Sequence, residues 1–144
     1  MSDFVLNEFL PYQLALLSTR ISREFSERYR EKYGISISEW RILAHLSQAA
    51  NPISVREIFD QVAMDKSKVS RAASRLHKHG LLQKTQSRAD RRLVELSLSE
   101  AGVNLVRELT PAALEFEKEV LGRLGPKGSD FQDAVRKLCG LETH

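Results

Sequence analysis

Basic side chains in the middle of the chain recur at helical spacing. Lys68, Arg71 and Arg75 are separated by three and four residues, so a helix over 66–79 would carry them on one face. An arginine on such a helix can donate two hydrogen bonds to guanine O6 and N7, while lysines and serines can reach phosphates. The spacing therefore predicts a helix that enters the major groove of double-stranded DNA. The residues predicted to contact DNA from this helix are Lys66, Ser67, Lys68, Ser70, Arg71, Ser74 and Arg75.

A second group of arginines follows in the sequence SRADRR, at 87–92. The flanking segments, 82–85 and 93–98, have a period near two, which predicts two strands joined by a basic loop. An arginine at the tip of such a hairpin fits the narrow minor groove of A·T-rich DNA. Asp90 is interpreted as a turn former that also holds a neighbouring arginine. The residues predicted to act in this wing are Arg88, Asp90, Arg91 and Arg92.

The charge distribution favours a polyanionic partner. The chain of 144 residues has a net charge of +3, but residues 64–92 contain nine Lys and Arg against two Asp. The rest of the chain is therefore net negative, and positive charge is concentrated where the helix and the wing are predicted. A composition that is 42% hydrophobic and 28% charged is typical of a folded protein and argues against disorder. Neither a membrane span nor a secretory signal is recognisable, so a cytoplasmic location is expected.

The elements that would position these residues begin and end at recognisable signals. Apolar residues at steps of three and four from Leu10 predict a long first helix that Gly34 ends. S-x-x-E capping boxes begin at Ser36 and Ser54 and predict the starts of two more helices. The predicted helices cover 10–33, 37–48, 55–62, 66–79 and 99–124, and a last capping box begins at Ser129.

The order of these elements predicts the fold. The third and fourth helices are about three residues apart, the spacing of a helix-turn-helix, and Pro111 is expected to kink the fifth. The predicted fold class is mainly α with a small β-hairpin wing, a winged helix-turn-helix with long N- and C-terminal dimerisation helices. Residues 1–34 and 110–144 are assigned to the helical dimerisation region and 35–109 to the DNA-binding region, within one compact domain overall.

Two stretches resemble the core of the MarR family of bacterial and archaeal transcriptional regulators, namely DKSKVSRAASRLHKHGLLQK and SRADRRLVELSLSEAG. The upstream segment ISISEWRILAHL resembles the second helix of the family. The resemblance implies a transcriptional regulator, expected to be a repressor, that binds a palindromic operator as an obligate homodimer and is released by a small-molecule effector. It also implies that Asp90 and Arg92 occupy the positions of the family's wing Asp and Arg and that the major groove is faced by Ser67, Lys68, Ser70, Arg71 and Arg75.

Apolar side chains outside the winged part independently indicate an interface. A core for one small domain does not need all of them, and exposed apolar stripes of this size usually mark a contact surface. The residues predicted to form the dimer interface are Leu6, Phe9, Leu10, Phe116, Val120, Leu124, Phe131, Val135 and Leu138.

The signal that would release DNA is less evident in the sequence. Members of the MarR family commonly lose DNA affinity when they bind small aromatic carboxylates or when a cysteine is oxidised. The candidate residues for a pocket that takes a small aromatic or phenolic effector are Tyr12, Trp40, Arg41 and His45. Packing against Ile35 in a hydrophobic staple is the better explanation for Trp40, and partial exposure on a helix is the better one for His45.

Redox or metal sensing has weaker support. Cys139 is the single cysteine and lies near Leu138 and Leu141, so a buried structural thiol is expected, although redox regulation through Cys139 stays open. The histidines do not have the spacing of metal ligands, and neither a metal nor a cofactor is expected. These histidines are His45, His77, His79 and His144.

Other classes of protein fit the sequence less well. An enzyme is not expected, because the chain has no phosphate-binding glycine loop, no G-x-S-x-G and no H-E-x-x-H. A protein-interaction module would not need a basic helix face. A non-specific architectural DNA-binding protein stays open, although the arginine and serine spacing favours the reading of bases.

Overall fold

The computed structural model describes residues 3–62 and 64–141, which form mainly helices and one small sheet. The helices are α1 (Leu10–Tyr33), α2 (Ile37–Ser47), α3 (Val55–Gln61), α4 (Lys66–Lys78), α5 (Glu100–Gly122) and α6 (Gly128–Leu138). The strands are β1 (Ile53–Ser54), β2 (Leu82–Gln86) and β3 (Val94–Leu98). Short 3₁₀ helices at Leu6–Glu8 and Gly125–Lys127 precede α1 and α6. The predicted fold class is confirmed.

Local capping signals explain where the first helices begin and end. The hydroxyl of Ser36 accepts a hydrogen bond from the backbone N–H of Glu39 at the start of α2, and Ser54 does the same for Glu57 at the start of α3. Gly34 ends α1 with a φ of 66°, in the left-handed region that glycine adopts without steric cost. The predicted bounds of α1 to α4 are confirmed to within one residue.

The sheet is antiparallel, with the strand order β1-β3-β2. The hairpin of β2 and β3 pairs Leu82 with Leu98 at its base and Gln86 with Val94 at its tip, as expected for the wing. The strand β1, which the sequence analysis did not predict, pairs Ile53 with Leu96. Because β1 has two residues, no alternation of side chains can indicate it. It ties the wing to the start of α3.

Helices α2, α3 and α4 pack with β3 around one apolar core. Leu43 of α2, Ile58 of α3 and Leu76 of α4 are fully buried, as is Leu96 of β3. Each helix buries one face in this core. Helix α4 is therefore held in place by its buried face, and its opposite face lies outside the core.

The start of α6 differs from the expectation. The predicted capping box at Ser129 is wrong: α6 begins at Gly128, and Lys127 precedes it without a side-chain cap. The helix starts early because the preceding 3₁₀ turn already has helical geometry, so Ser129 falls inside the first turn. A Cβ at Gly128 would lie 2.6 Å from the carbonyl oxygen of Leu121, so this close approach requires glycine.

Helix α5 continues through Pro111, so the proline does not end the helix. The described chain divides by its contacts into one compact unit that ends at Glu108 and a second that begins at Leu109. The predicted grouping of 1–34 with 110–144 in a dimerisation region concerns an assembly of two chains and stays a prediction. Among residues 3–62 and 64–141, no helix combines the length and the apolar character that a bilayer crossing requires.

Candidate nucleic-acid interface

The two faces of α4 differ as the helical period predicts. Val69 and Leu76 are fully buried, and Ala72 and Ala73 are nearly so. Every residue predicted to contact DNA from this helix is exposed, namely Lys66, Ser67, Lys68, Ser70, Arg71, Ser74 and Arg75. The structure therefore presents these cations and hydroxyls together on one accessible surface, which we call the α4 basic face.

The N-terminus of α4 is fixed by Asp65. Its carboxylate accepts hydrogen bonds of 2.9 Å from the backbone N–H of Lys68 and from the hydroxyl of Ser67. These bonds, the one from the Lys68 N–H above all, lower the pKa of Asp65 below its ordinary value. Ser67 thus uses its proton within the chain, and its oxygen keeps lone pairs that can accept a hydrogen bond.

A buried carboxylate lies behind the α4 basic face. Glu39, in the first turn of α2, is 2% exposed, and its Oε1 atom is 3.7 Å from Nε of Arg75. The side chain of Arg75 is itself 64% exposed, so most of it remains accessible to a ligand. In the sequence, Glu39 is explained as part of a capping box, and this ion pair is not predicted. The helical period showed which face Arg75 occupies, but no local signal connects it with α2.

The loop between β2 and β3 is held by its own hydrogen bonds. The Ser87 hydroxyl accepts from the N–H of Asp90, and the side-chain amide of Gln86 donates to the carbonyl of Arg91. Backbone bonds also join Ser87 to Leu93 and Leu93 to Asp90. These contacts give the wing a defined shape although it lies at the surface.

Asp90 pairs with Arg92 through both carboxylate oxygens. Nε and Nη2 of Arg92 each lie 3.1 Å from an oxygen of Asp90, and the Arg92 backbone N–H donates to the same carboxylate. These hydrogen bonds lower the pKa of Asp90 and raise that of Arg92, because each charge stabilises the other. The interpretation that Asp90 holds a neighbouring arginine is confirmed for Arg92. Arg88 and Arg91 are exposed beside this pair.

Arg56 is a cation near the wing that the sequence analysis did not include. It lies exposed in the first turn of α3, and its charge contributes to the lowered pKa of Asp90. It therefore adds positive charge close enough to the wing to act on Asp90. The positive charge of Arg56 is visible in the sequence, but Arg56 lies outside the basic segment at 64–92.

The structure brings three of the four candidate effector-pocket residues together. Trp40, Arg41 and His45 line one open cavity of about 370 Å³, with Ala44 and Val62 beside them. His45 is in hydrogen-bond contact with the side-chain oxygen of Gln61, at the end of α3. A planar aromatic ring and a guanidinium in one cavity suit a small aromatic acid.

Tyr12 is not among the residues that line this cavity. The part of α1 that packs against Trp40 carries Phe25 and Tyr29, with ring centroids 5.5 and 6.0 Å from the tryptophan. At 1.5 Å of rise per residue, Tyr12 is about 20 Å further along the helix. It is exposed there.

The predicted interface residues differ in how far the chain itself covers them. Phe116 is buried within the single chain, so it contributes to packing in the chain as well as to any interface. Val120, Phe131 and Val135 are partly covered. The others are exposed, namely Leu6, Phe9, Leu10, Leu124 and Leu138.

The expectation that Cys139 is buried is wrong. Cys139 is exposed, because it caps the end of α6 beyond the last turn. His144 lies outside the described residues. Within residues 3–62 and 64–141, no three His, Cys, Asp or Glu side chains are grouped as a metal ion would require.

The fold and this surface define a class of protein. α3 and α4 form a helix-turn-helix, β2 and β3 form its wing, and both carry exposed cations. This is a winged helix-turn-helix DNA-binding protein.

Comparisons with known proteins show which regulators the chain is similar to. The MarR family model matches residues 33–93. The HTH-type transcriptional regulator PapX of Escherichia coli is 28% identical over 135 residues, 93% of this chain and 82% of PapX. A MarR/EmrR family transcriptional regulator from Acinetobacter sp. ADP1 has 27% identity and a TM-score of 0.81, covering 94% of this chain and 95% of that one. BpsR of Bordetella bronchiseptica, at 22% identity, shares the fold with a TM-score of 0.82 over 98% of this chain and 100% of BpsR. In sequence and in fold, the chain is therefore similar to transcriptional regulators of the MarR family.

Proposed function

We propose that this chain is a MarR-family regulator that acts as a sequence-specific cytoplasmic repressor. In this proposal it binds a palindromic operator in double-stranded DNA as a homodimer, and a small aromatic or phenolic effector releases it. The observation that carries the proposal is the α4 basic face. Its cations and hydroxyls are all exposed while the opposite side of the same helix is buried in the core, the arrangement of a helix that reads the major groove.

The exposed apolar residues support a homodimer. Leu6, Phe9 and Leu10 lie together near the N-terminus and are each about half exposed, an unfavourable arrangement for a chain that stays alone in water. A two-fold dimer would present two α4 helices about one turn of DNA apart, which requires a palindromic site. Support for repression comes from MdtR of Bacillus subtilis, a relative 29% identical that is named a transcriptional repressor.

The cavity lined by Trp40, Arg41 and His45 supports an effector. Since His45 connects α2 to the end of α3, a ligand in this cavity would disturb the turn that leads into α4. DNA binding by BpsR, which has the same fold, is regulated by 6-hydroxynicotinic acid. That compound and simpler aromatic acids are the first effectors to test here.

Selection of bound sites from random DNA duplexes, at stated salt concentration, tests the proposal. We expect a palindrome with half-sites about one helical turn apart and release from it by an aromatic acid. Bound DNA without a common sequence would show a non-specific architectural protein and contradict the proposal. Release by peroxide that Cys139→Ser abolishes, with no release by aromatic acids, would instead show redox regulation.

A further inference from the structure

One negative group, Glu39 of α2, lies behind the α4 basic face, and no DNA contact explains it. Glu39 lines a small groove of about 170 Å³ together with residues of that face, namely Lys68, Arg71 and Arg75. Carboxylates can accept a hydrogen bond from cytosine N4, but a side chain only 2% exposed cannot reach a base edge. Repulsion from phosphates makes an acid at this position unfavourable for DNA affinity. Its role must therefore lie in what it does to its neighbours.

The neighbour that Glu39 contacts is Arg75. The 3.7 Å separation between Oε1 and Nε is an ion pair rather than a hydrogen bond, and its strength depends on how far water screens it. Because Glu39 is almost fully buried, solvent screens the carboxylate poorly. Its charge also acts on buried Tyr29, whose pKa is raised to about 12 mainly by burial, with Arg41 lowering it and Glu39 raising it further.

The arginine remains accessible to a ligand, because its side chain is 64% exposed. Glu39 faces the Nε side of the guanidinium, whereas bidentate recognition of guanine can use the terminal nitrogens. An arginine held at Nε presents its two terminal nitrogens to the DNA in one orientation. An arginine that rotates freely can turn to a phosphate instead. Fixing a side chain in its bound geometry also reduces the entropy lost on binding.

We propose that Glu39 is a positioning residue for base recognition, whose buried carboxylate holds Arg75 so that the guanidinium meets one base of each half-site. The inference rests on the proposed function, since it assumes that the chain reads a specific site. It assigns to α2 a part in specificity that α4 and the wing do not supply alone.

The chain contains a matched control. Glu57 occupies the same place as Glu39 in a second S-x-x-E cap, after Ser54 at the start of α3, but it is exposed. Glu39→Gln and Glu57→Gln each remove one negative charge. Both variants keep the backbone N–H that donates a hydrogen bond to the cap serine. Electrostatics alone would make both variants bind every DNA more tightly. A loss of base preference confined to Glu39→Gln therefore reports on position, not on charge.

The test measures base preference along the site that the wild-type chain selects. Arg75→Ala first identifies the position where Arg75 reads a base. We expect Glu39→Gln to reduce the preference at that same position on the order of fivefold, the lower end of what one bidentate contact contributes. In the Arg75→Ala background, Glu39→Gln should add nothing there, because the interaction it removes no longer exists. Glu57→Gln should keep the preference at every position.

Two results would overturn the inference while leaving the proposed function intact. One is an unchanged base preference in Glu39→Gln. The other is a loss that persists in full in the Arg75→Ala background, which would show a general structural role. A wild-type chain that selects no site would overturn the proposed function and this inference with it.

A second measurement needs no variant at Glu39 and covers the case in which Glu39→Gln does not fold. Hydrogen exchange at the arginine Nε atoms of the wild-type chain is followed by NMR, with Arg75 assigned from the signal missing in Arg75→Lys. We expect slower exchange at Arg75 than at exposed Arg71 on the same face. Equal exchange at the two arginines would contradict the inference.

Discussion

Arg75 on α4 and Arg92 in the wing are each paired with a carboxylate, but the two pairs lie in different surroundings. Arg75 faces Glu39, a nearly buried residue of another helix, at 3.7 Å. Arg92 pairs at 3.1 Å with Asp90, two residues before it, and the Arg92 side chain is 89% exposed. The wing pair is shorter and bidentate, and the α4 pair is longer and has a nearly buried carboxylate, although the Arg75 side chain is 64% exposed.

This difference indicates two kinds of control over an arginine. An exposed ion pair contributes little to stability because water and salt screen it, so Asp90 biases the direction of Arg92 but can exchange it for a phosphate. The buried carboxylate of Glu39 is poorly screened by water and salt, so it continues to act on Arg75 when DNA binds and displaces the surrounding ions. We therefore expect α4 to be the rigid reading element and the wing to be an adaptable clamp.

The largest effect should come from loosening the helix under Arg75. Leu76 is fully buried beneath the α4 basic face, and Leu76→Ala should lower the free energy of unfolding by about 2–5 kcal/mol through lost burial and a cavity. Chemical denaturation of the full chain measures this loss. Val94→Ala, at an exposed position in the wing, should cost less than about 1 kcal/mol. Equal losses would mean that α4 is no more firmly seated than the wing.

A smaller effect is expected from removing the wing arginine. Arg92→Ala should weaken binding similarly on all duplexes, keep the unfolding midpoint, and reduce the slope of log affinity against log salt by about 1. DNA titrations at several salt concentrations measure the slope. Arg92→Lys keeps the charge but loses the bidentate contact with Asp90, so it should keep the wild-type slope. If Arg92→Ala leaves the slope unchanged, the wing does not contact phosphate through Arg92.

The same comparison shows why one pair was predictable from the sequence and the other was not. Asp90 and Arg92 are two residues apart in the chain, and the turn that the sequence indicated allows Asp90 to hold one of the neighbouring arginines. Glu39 and Arg75 lie on helices that each have a complete local explanation, a cap for one and an exposed face for the other. Their meeting depends on how α2 crosses α4, which no period in the sequence specifies.

The other elements likewise divide into those that a local sequence signal predicts and those that it does not. Helices α1 to α4 and the hairpin were predictable because capping serines, glycine and side-chain period are local signals. The strand β1 was missed because two residues contain no period. Ser129 misled because a capping motif marks a helix start only when the preceding residue is not already helical. Cys139 misled because its apolar neighbours in sequence do not cover the end of α6.

The smallest effect we predict is a change in the pKa of Asp90. Its hydrogen bonds with Arg92 lower the folded pKa below the ordinary value of 3.8, so they stabilise the wing above that pH. This stabilisation is lost as the pH falls through the lowered folded pKa. In Arg92→Ala, carboxyl NMR titration should show the pKa of Asp90 moving back toward 3.8. Asp65 is the internal control, because its own pKa is lowered chiefly by the backbone N–H of Lys68, which Arg92→Ala leaves in place. If the pKa of Asp90 is the same in both proteins, the wing pair does not form in solution, and Arg75 is then the only one of the two arginines that a carboxylate holds.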